Sequence, residues 1–157
     1  MRKIFFLGIF LFFCHLLSAV QPLSAETDKS APYFKLVNLA GSQTSLSDFK
    51  GRPVMLFFWA TWCPYCRDEF PILEKEYAGM KRSGVELLAI DIGEAKERVE
   101  KFLSRKSVEF PVLLDSDSRV AEAYNLIGVP TFVLVDSQGK IRSQGNSFPD
   151  NYKQILK

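Results

Sequence analysis

Histidine is nearly missing from this chain, with one in 157 residues, at position 15. Cysteine is scarce as well and stands only at positions 14, 63 and 66. Cys14 and His15 both fall in an apolar N-terminal stretch, so the polypeptide from Glu26 onward keeps two cysteines and no histidine. Without an imidazole there is no Cys–His or Ser–His pair for hydrolysis. Two cysteines and no histidine cannot supply an ordinary four-ligand zinc site. Asp115-Ser116-Asp117-Ser118 lacks the glycine and the distal glutamate of a calcium loop, so no metal is expected there either. Excess charge is missing too. The chain has 20 Lys and Arg against 18 Asp and Glu, and removal of Arg2 and Lys3 with a leader would leave 18 of each. A neutral domain offers no electrostatic reason to bind nucleic acid or an anionic surface. Internal repeats and low-complexity segments are absent.

The N-terminus is patterned for export. Arg2 and Lys3 are followed by Ile4 to Val20 without a charge, and Leu23-Ser24-Ala25 offers a small-residue cleavage site before Glu26. The apolar run is a little shorter than the roughly 20 residues that span a bilayer comfortably, although tilt and thinning accommodate such a length. Residues 1–25 are therefore expected to be a signal peptide or an N-terminal membrane anchor, and residues 26–157 one domain. Either alternative places the domain outside the cytoplasm, secreted or held by residues 4–20. Cys14 follows Leu11-Phe12-Phe13, with no small residue to suit lipid attachment.

Hydrophobic periodicity then alternates between strand and helix. A strand is expected from about Ala31 to Leu39, then a turn at Gly41-Ser42 and a short helical turn over Thr44 to Gly51. Val54 to Trp59 is a continuous apolar run of the kind buried on both faces. Phe70, Leu73, Tyr77 and Met80 repeat at helical spacing in a helix running from Cys63 to about Arg82, with Pro71 inside it and Ser83-Gly84 as its stop. Val85 to Ile92 reads as a strand and Glu94 to Lys106 as an amphipathic helix with Val99, Phe102 and Leu103 inward. Phe110 to Leu114 follows as a strand, and Asp115 to Ser118 leads a short helix through Tyr124. Thr131 to Val135 and Lys140 to Ser143 form a hairpin, and Asp150 to Lys157 a closing helix. This order indicates an α/β fold with a mixed sheet.

The chemistry lies in Trp62-Cys63-Pro64-Tyr65-Cys66. A strand that hands over to a helix at Cys63 puts that thiol at a helix N-terminus, where free N–H groups and the helix dipole favour the thiolate. The thiolate is the form that attacks disulfides. Cys66 sits one turn along the same face, and Pro64 suits the first helical position. Structural disulfides gain most by closing long loops, and a C-x-x-C bridge closes almost none. The pair is therefore expected to serve reactivity.

Phe58-Trp59-Ala60-Thr61-Trp62-Cys63-Pro64-Tyr65-Cys66, followed by Arg67-Asp68-Glu69-Phe70-Pro71, resembles the TlpA/ResA branch of the thioredoxin superfamily. Ile127-Gly128-Val129-Pro130-Thr131-Phe132 is similar to the superfamily's cis-proline loop. The segments Ser83 to Glu94 and Phe110 to Asp115 are similar to the extra strand–helix segment of this branch. The resemblance implies a thioredoxin fold: a central mixed sheet flanked by helices, with an N-terminal strand or hairpin extension and a central strand–helix insertion. It implies Cys63 as the exposed attacking thiol, Cys66 as the more buried resolving thiol, and a redox disulfide between them. It implies a cis Pro130 that presents the backbone of Val129 for a substrate peptide to pair with. Trp62, Pro64 and Tyr65 would flank the substrate. Glu69 would help move protons to or from the thiols. Ordinary thioredoxins carry a buried aspartate six residues before the first cysteine; Phe57 stands there, which strengthens the case for Glu69.

The activity implied is that of an extracytoplasmic thiol–disulfide oxidoreductase without cofactor, acting as a monomer on protein disulfides. By resemblance it would reduce such substrates as the cysteine pair of an apocytochrome c before haem attachment, with electrons from a membrane thiol-reducing protein. A disulfide-forming oxidant, a thiol peroxidase and a non-enzymatic binding module are the alternatives. The peroxidase needs a threonine where Ala60 stands. Pro64-Tyr65 is also the glutaredoxin dipeptide and suggests a potential nearer roughly −200 to −230 mV than that of thioredoxin.

Overall fold

The computed structural model describes residues 29–157. The expected leader, with Cys14, lies outside the described residues. Seven strands form one mixed sheet: β1 (Lys35–Asn38), β2 (Gln43–Ser45), β3 (Val54–Trp59), β4 (Glu86–Ile92), β5 (Val112–Asp115), β6 (Thr131–Val135) and β7 (Ile141–Gly145). Their order across the sheet is β2-β1-β5-β4-β3-β6-β7. β4 runs parallel to both β3 and β5, and the remaining pairings are antiparallel. The helices are α1 (Pro64–Arg82), α2 (Lys96–Leu103), α3 (Arg119–Ala123) and α4 (Tyr152–Ile155). This is the thioredoxin-like arrangement, with the β1–β2 hairpin added at one edge. Among the described residues no helix is long and apolar enough to cross a membrane.

β3 is the axis of the molecule, and all six of its residues are buried. Alternation along a strand splits them between two cores. Met55, Phe57 and Trp59 join Phe70, Leu73 and Met80 of α1, Val99 and Leu103 of α2, and Tyr152 of α4 on one face. Val54, Leu56 and Phe58 join Phe34, Val120 and Tyr124 on the other. Phe70 is the hub of the first core. Its ring lies 4.7 Å from Trp59, 5.7 Å from Phe57, 5.6 Å from Phe102 and 6.1 Å from Phe110, centroid to centroid. α1 continues through Pro71 and ends at Ser83, where the chain turns at Gly84 with φ of +78°.

Several boundaries differ from expectation, each for a local reason. Gln43–Ser45 pairs with β1 as a strand, so the helical turn starts later, at Leu46–Phe49. Asp48 brings this about by accepting from the Ser45 N–H at 2.8 Å and the Ser45 hydroxyl at 2.9 Å. β5 starts at Val112 because Pro111 has no N–H to give the sheet, although its carbonyl still accepts from the Ala89 N–H at 3.0 Å. Ser118 stands at the N-cap position of α3 without a side-chain bond, and the Asp115 carboxylate accepts instead from the N–H groups of Val120 and Ala121 at 3.1 and 2.9 Å. α2 starts at Lys96 and stops at Leu103, shorter than the Glu94 to Lys106 expected, and leaves Glu94 outside the helix. α4 is a single turn.

Because Phe70 packs against Phe57 and Trp59 of β3, Phe102 of α2 and Phe110 before β5, Phe70→Ala should open a cavity that cannot collapse. A loss of about 3–5 kcal/mol is expected in denaturant unfolding; a loss below about 1 kcal/mol would show that this core is not the one that holds the fold.

Candidate active site

β3 ends at Trp59, and Ala60, Thr61 and Trp62 turn the chain into α1. The Cys63 N–H donates to the Ala60 carbonyl at 3.2 Å, closing the turn. Cys63 is then the residue that caps α1. Its extended backbone precedes Pro64 at the first helical position, and its sulfur accepts from the Cys66 N–H at 3.1 Å. The capping atom that is usually a serine or aspartate oxygen is here a sulfur, so the hydrogen-bond donor that ends the helix also stabilises charge on Sγ. The two sulfurs are bonded to one another, with their Cα atoms 5.3 Å apart.

Thr61 is gripped from three sides. Its N–H donates to Glu94 Oε2, and its hydroxyl donates to Glu94 Oε1 at 2.7 Å. Its carbonyl accepts from the Arg67 guanidinium at 2.8 and 3.1 Å. Arg98 Nε closes the set, 2.7 Å from Glu94 Oε1 and 3.0 Å from Thr61 Oγ1. None of these residues was singled out from the sequence. Glu94 was expected to open the amphipathic helix, yet it precedes α2 and is buried. The available signal was Gly93, which ends the buried strand with φ of +71° and turns the next side chain back over the sheet.

On the neighbouring strand, the Val129–Pro130 peptide is cis. The Val129 carbonyl oxygen lies 3.5 Å from Cys63 Sγ. This loop is tied down by the Thr131 hydroxyl, which donates to the Gly128 carbonyl at 2.7 Å, and by Asn146 Nδ2, which donates to the Pro130 carbonyl at 2.8 Å. Trp62, Tyr65 and Ile127 stand exposed around it. Pro64 is exposed as well, whereas Pro130 is buried.

One expectation is corrected. Cys63 was expected to be exposed, but it is 2% accessible, close to Cys66 at 0%. Bonded to Cys66, its side chain turns back along the helix, and Val129 lies against it. Cys63 joins the core cluster with Cys66 and Phe70, while its chain neighbours Trp62 and Pro64 are exposed.

Glu69 lies one turn beyond Cys66 on α1 and is half-buried. Its Oε1 accepts from the Phe148 N–H at 3.4 Å, while Oε2 is buried without a partner. Burial is the main cause that raises its pKa above that of a free glutamate. The Phe148 N–H works against the rise, and Asp68 and Asp150 add to it. Phe57 occupies the place of the thioredoxin aspartate and is wholly buried, its ring 4.8 Å from that of Phe132. Among the described residues no group of three or more His, Cys, Asp or Glu side chains is arranged to hold a metal ion.

Arg67→Met should keep the stem of the side chain while removing both bonds to the Thr61 carbonyl. A loss of about 1.5 kcal/mol is expected in urea unfolding, and an unchanged midpoint would mean that Arg67 does not hold the turn.

The chain is similar to proteins already known. The model of the AhpC/TSA family matches residues 27–144. The chain is 41% identical to the thiol-disulfide oxidoreductase ResA of Bacillus subtilis over 75% of its own length and 66% of that protein's. It is 42% identical to the ResA of Geobacillus kaustophilus over 78% and 70% of the two lengths. Among solved structures, the thioredoxin domain of a thiol-disulfide oxidoreductase from Bacteroides vulgatus superposes with a TM-score of 0.73 at 30% identity, covering 82% of this chain and 94% of that one. A Cys-x-x-Cys disulfide at the head of a helix, a cis-proline loop against it and these relatives agree: the chain belongs to the AhpC/TSA family and, within it, to the ResA-like thiol-disulfide oxidoreductases of the thioredoxin superfamily.

Proposed function

We propose that the protein is an extracytoplasmic reductant of protein disulfides. The carrying observation is the sulfur of Cys63 at the N-terminus of α1, hydrogen-bonded by the Cys66 N–H and facing the Val129 carbonyl beside the cis peptide. In the reduced protein the Cys63 thiolate attacks one sulfur of a substrate disulfide, and the other substrate sulfur leaves as a thiolate. Cys66, losing its proton, then attacks Cys63 and releases the second substrate sulfur. The substrate leaves as a dithiol, and the protein is left with its own disulfide. Val129 offers a backbone edge for the substrate peptide, and Trp62, Pro64, Tyr65 and Pro130 form the walls around it. Glu69, with one oxygen unpartnered, takes the Cys66 proton.

The apolar run from Ile4 to Val20 supports work outside the cytoplasm, either as a released domain or on an anchor. A reductant there works against an oxidising surrounding and must be recharged. A membrane thiol-reducing protein is the donor we assign, and the cysteine pair of an apocytochrome c is the substrate class, in cytochrome c maturation.

Trapping tests the substrate and the attacking cysteine together. Cys66→Ser should accumulate mixed disulfides on Cys63, and Cys63→Ser should accumulate none. Partners held on neither cysteine would end the proposal. A measured reduction potential near −120 mV, that of a strong oxidant, would reverse the assigned direction. Reduced Cys63 should alkylate with a midpoint well below the ordinary pH of about 8.5; an ordinary midpoint would remove the helix-terminus argument.

Glu69 acts as a base only when ionised, and its pKa is raised above 4.5. Resolution of the mixed disulfide should therefore speed up as pH rises through a value above 4.5. Glu69→Gln should abolish that limb and slow resolution by about 100-fold at neutral pH. A variant as fast as the parent, with the same limb, would exclude Glu69 from proton transfer.

A further inference from the structure

Under the turn that precedes Cys63 lies a buried carboxyl group that the thiol chemistry does not use. Asp91 is on β4, fully buried, and neither of its oxygens has a hydrogen-bond partner. Its register partners are Trp59 on β3 and Leu114 on β5, so its side chain lies on the sheet face covered by α1 and α2. The titratable and charged groups that act on it come from three further places: Glu94 in the loop after β4, Arg98 on α2, and Asp115 at the end of β5. A lone carboxylate in such a place is strongly disfavoured, and the group keeps its proton instead. Burial first, and then Glu94, push Asp91 up to about 8; Arg98 opposes the rise and Asp115 adds to it.

Glu94 is in the opposite position. Arg98 is paired with it, and both polar hydrogens of Thr61 point at it. Glu94 is thus fully partnered, whereas Asp91 is buried with no partner that would favour its charged form. Thr61 stands two residues before Cys63, in the turn closed by the Cys63 N–H on the Ala60 carbonyl. Any change in the hold of Glu94 on Thr61 is felt where the helix starts.

We propose that Asp91, buried and neutral beside the Glu94–Arg98 pair, acts with Glu94 to position the redox turn. While Asp91 is neutral, Glu94 keeps Thr61 in place ahead of Cys63. When Asp91 gives its proton to solvent, a second buried negative charge repels Glu94 and the grip on Thr61 loosens. The pair takes the place, on the adjacent strand, of a buried acid that Phe57 denies to β3. The functional part of this proposal rests on Cys63 being the attacking thiol.

Two measurements on the full chain test it. With the Cys63–Cys66 disulfide closed, the fluorescence of Trp59, in register with Asp91, should show a step near pH 8. Asp91→Asn should abolish that step. In the reduced chain, alkylation of Cys63, read by mass spectrometry, should follow thiolate formation and then depart from a single titration curve above about pH 8. Asp91→Asn should follow one curve throughout. Glu94→Gln, which keeps an oxygen for the Thr61 N–H but has no charge to repel, should also lose the departure. An alkaline fluorescence step that survives in Asp91→Asn would overturn the neutral state assigned to Asp91. A departure in the alkylation curve that survives in both variants would overturn the positioning role. A Cys63 inert at every pH, with the fluorescence step intact, would show that the thiol reading had failed and would take the positioning role with it.

Discussion

The first turn of any α-helix carries backbone N–H groups with no partner inside the helix, and this site is organised around that deficit. At the head of α1 the deficit is met by the sulfur of Cys63. A serine there would cap the helix and do nothing more. A cysteine accepts the same bond and becomes an anion that the helix itself favours. Helix formation and nucleophile activation are thus one interaction seen from two sides, and whatever fixes where α1 begins also fixes the chemistry.

The sheet fixes that point. β3 lies between β4 and β6 and is buried along its whole length, so its end at Trp59 cannot slide without exposing aromatic rings. Antiparallel pairing puts Thr131 opposite Phe58, and the residues just before Thr131 therefore arrive beside the turn that leads to Cys63. This brings the Val129 carbonyl against Sγ across a sequence separation of 66 residues. The loop is not attached to the dithiol; it is delivered there by strand register.

A polar network completes the placement. The carbonyl, N–H and hydroxyl of Thr61 are held by Arg67 from α1 and Glu94 from the loop after β4, with Arg98 of α2 bridging. Two stretches distant in sequence, Thr61 to Arg67 and Glu94 to Arg98, thus meet between the central strand and the reactive helix. Where the related thioredoxins place a buried acid under the dithiol from the strand that leads to it, this chain fills the position with Phe57 and buries its acid one strand away, at Asp91.

Much of this was legible in the sequence because it is governed by local rules. The apolar run of β3, the helical spacing of Phe70, Leu73, Tyr77 and Met80, and the Cys-x-x-Cys at their junction each depend on neighbours a few residues away. So the mixed α/β order, the span of α1 and the identity of the redox pair could be read without coordinates. Exposure, partnership and protonation depend on what other elements bring. The covering of Cys63 came from the disulfide and the proline loop. The burial of Glu94 came from the turn at Gly93, and the unpartnered state of Asp91 came from its place between β3 and β5. A one-dimensional pattern states which side chains prefer water. Only the packed sheet decides which charged ones are denied it, because that depends on the desolvation and the partners found at one point in space.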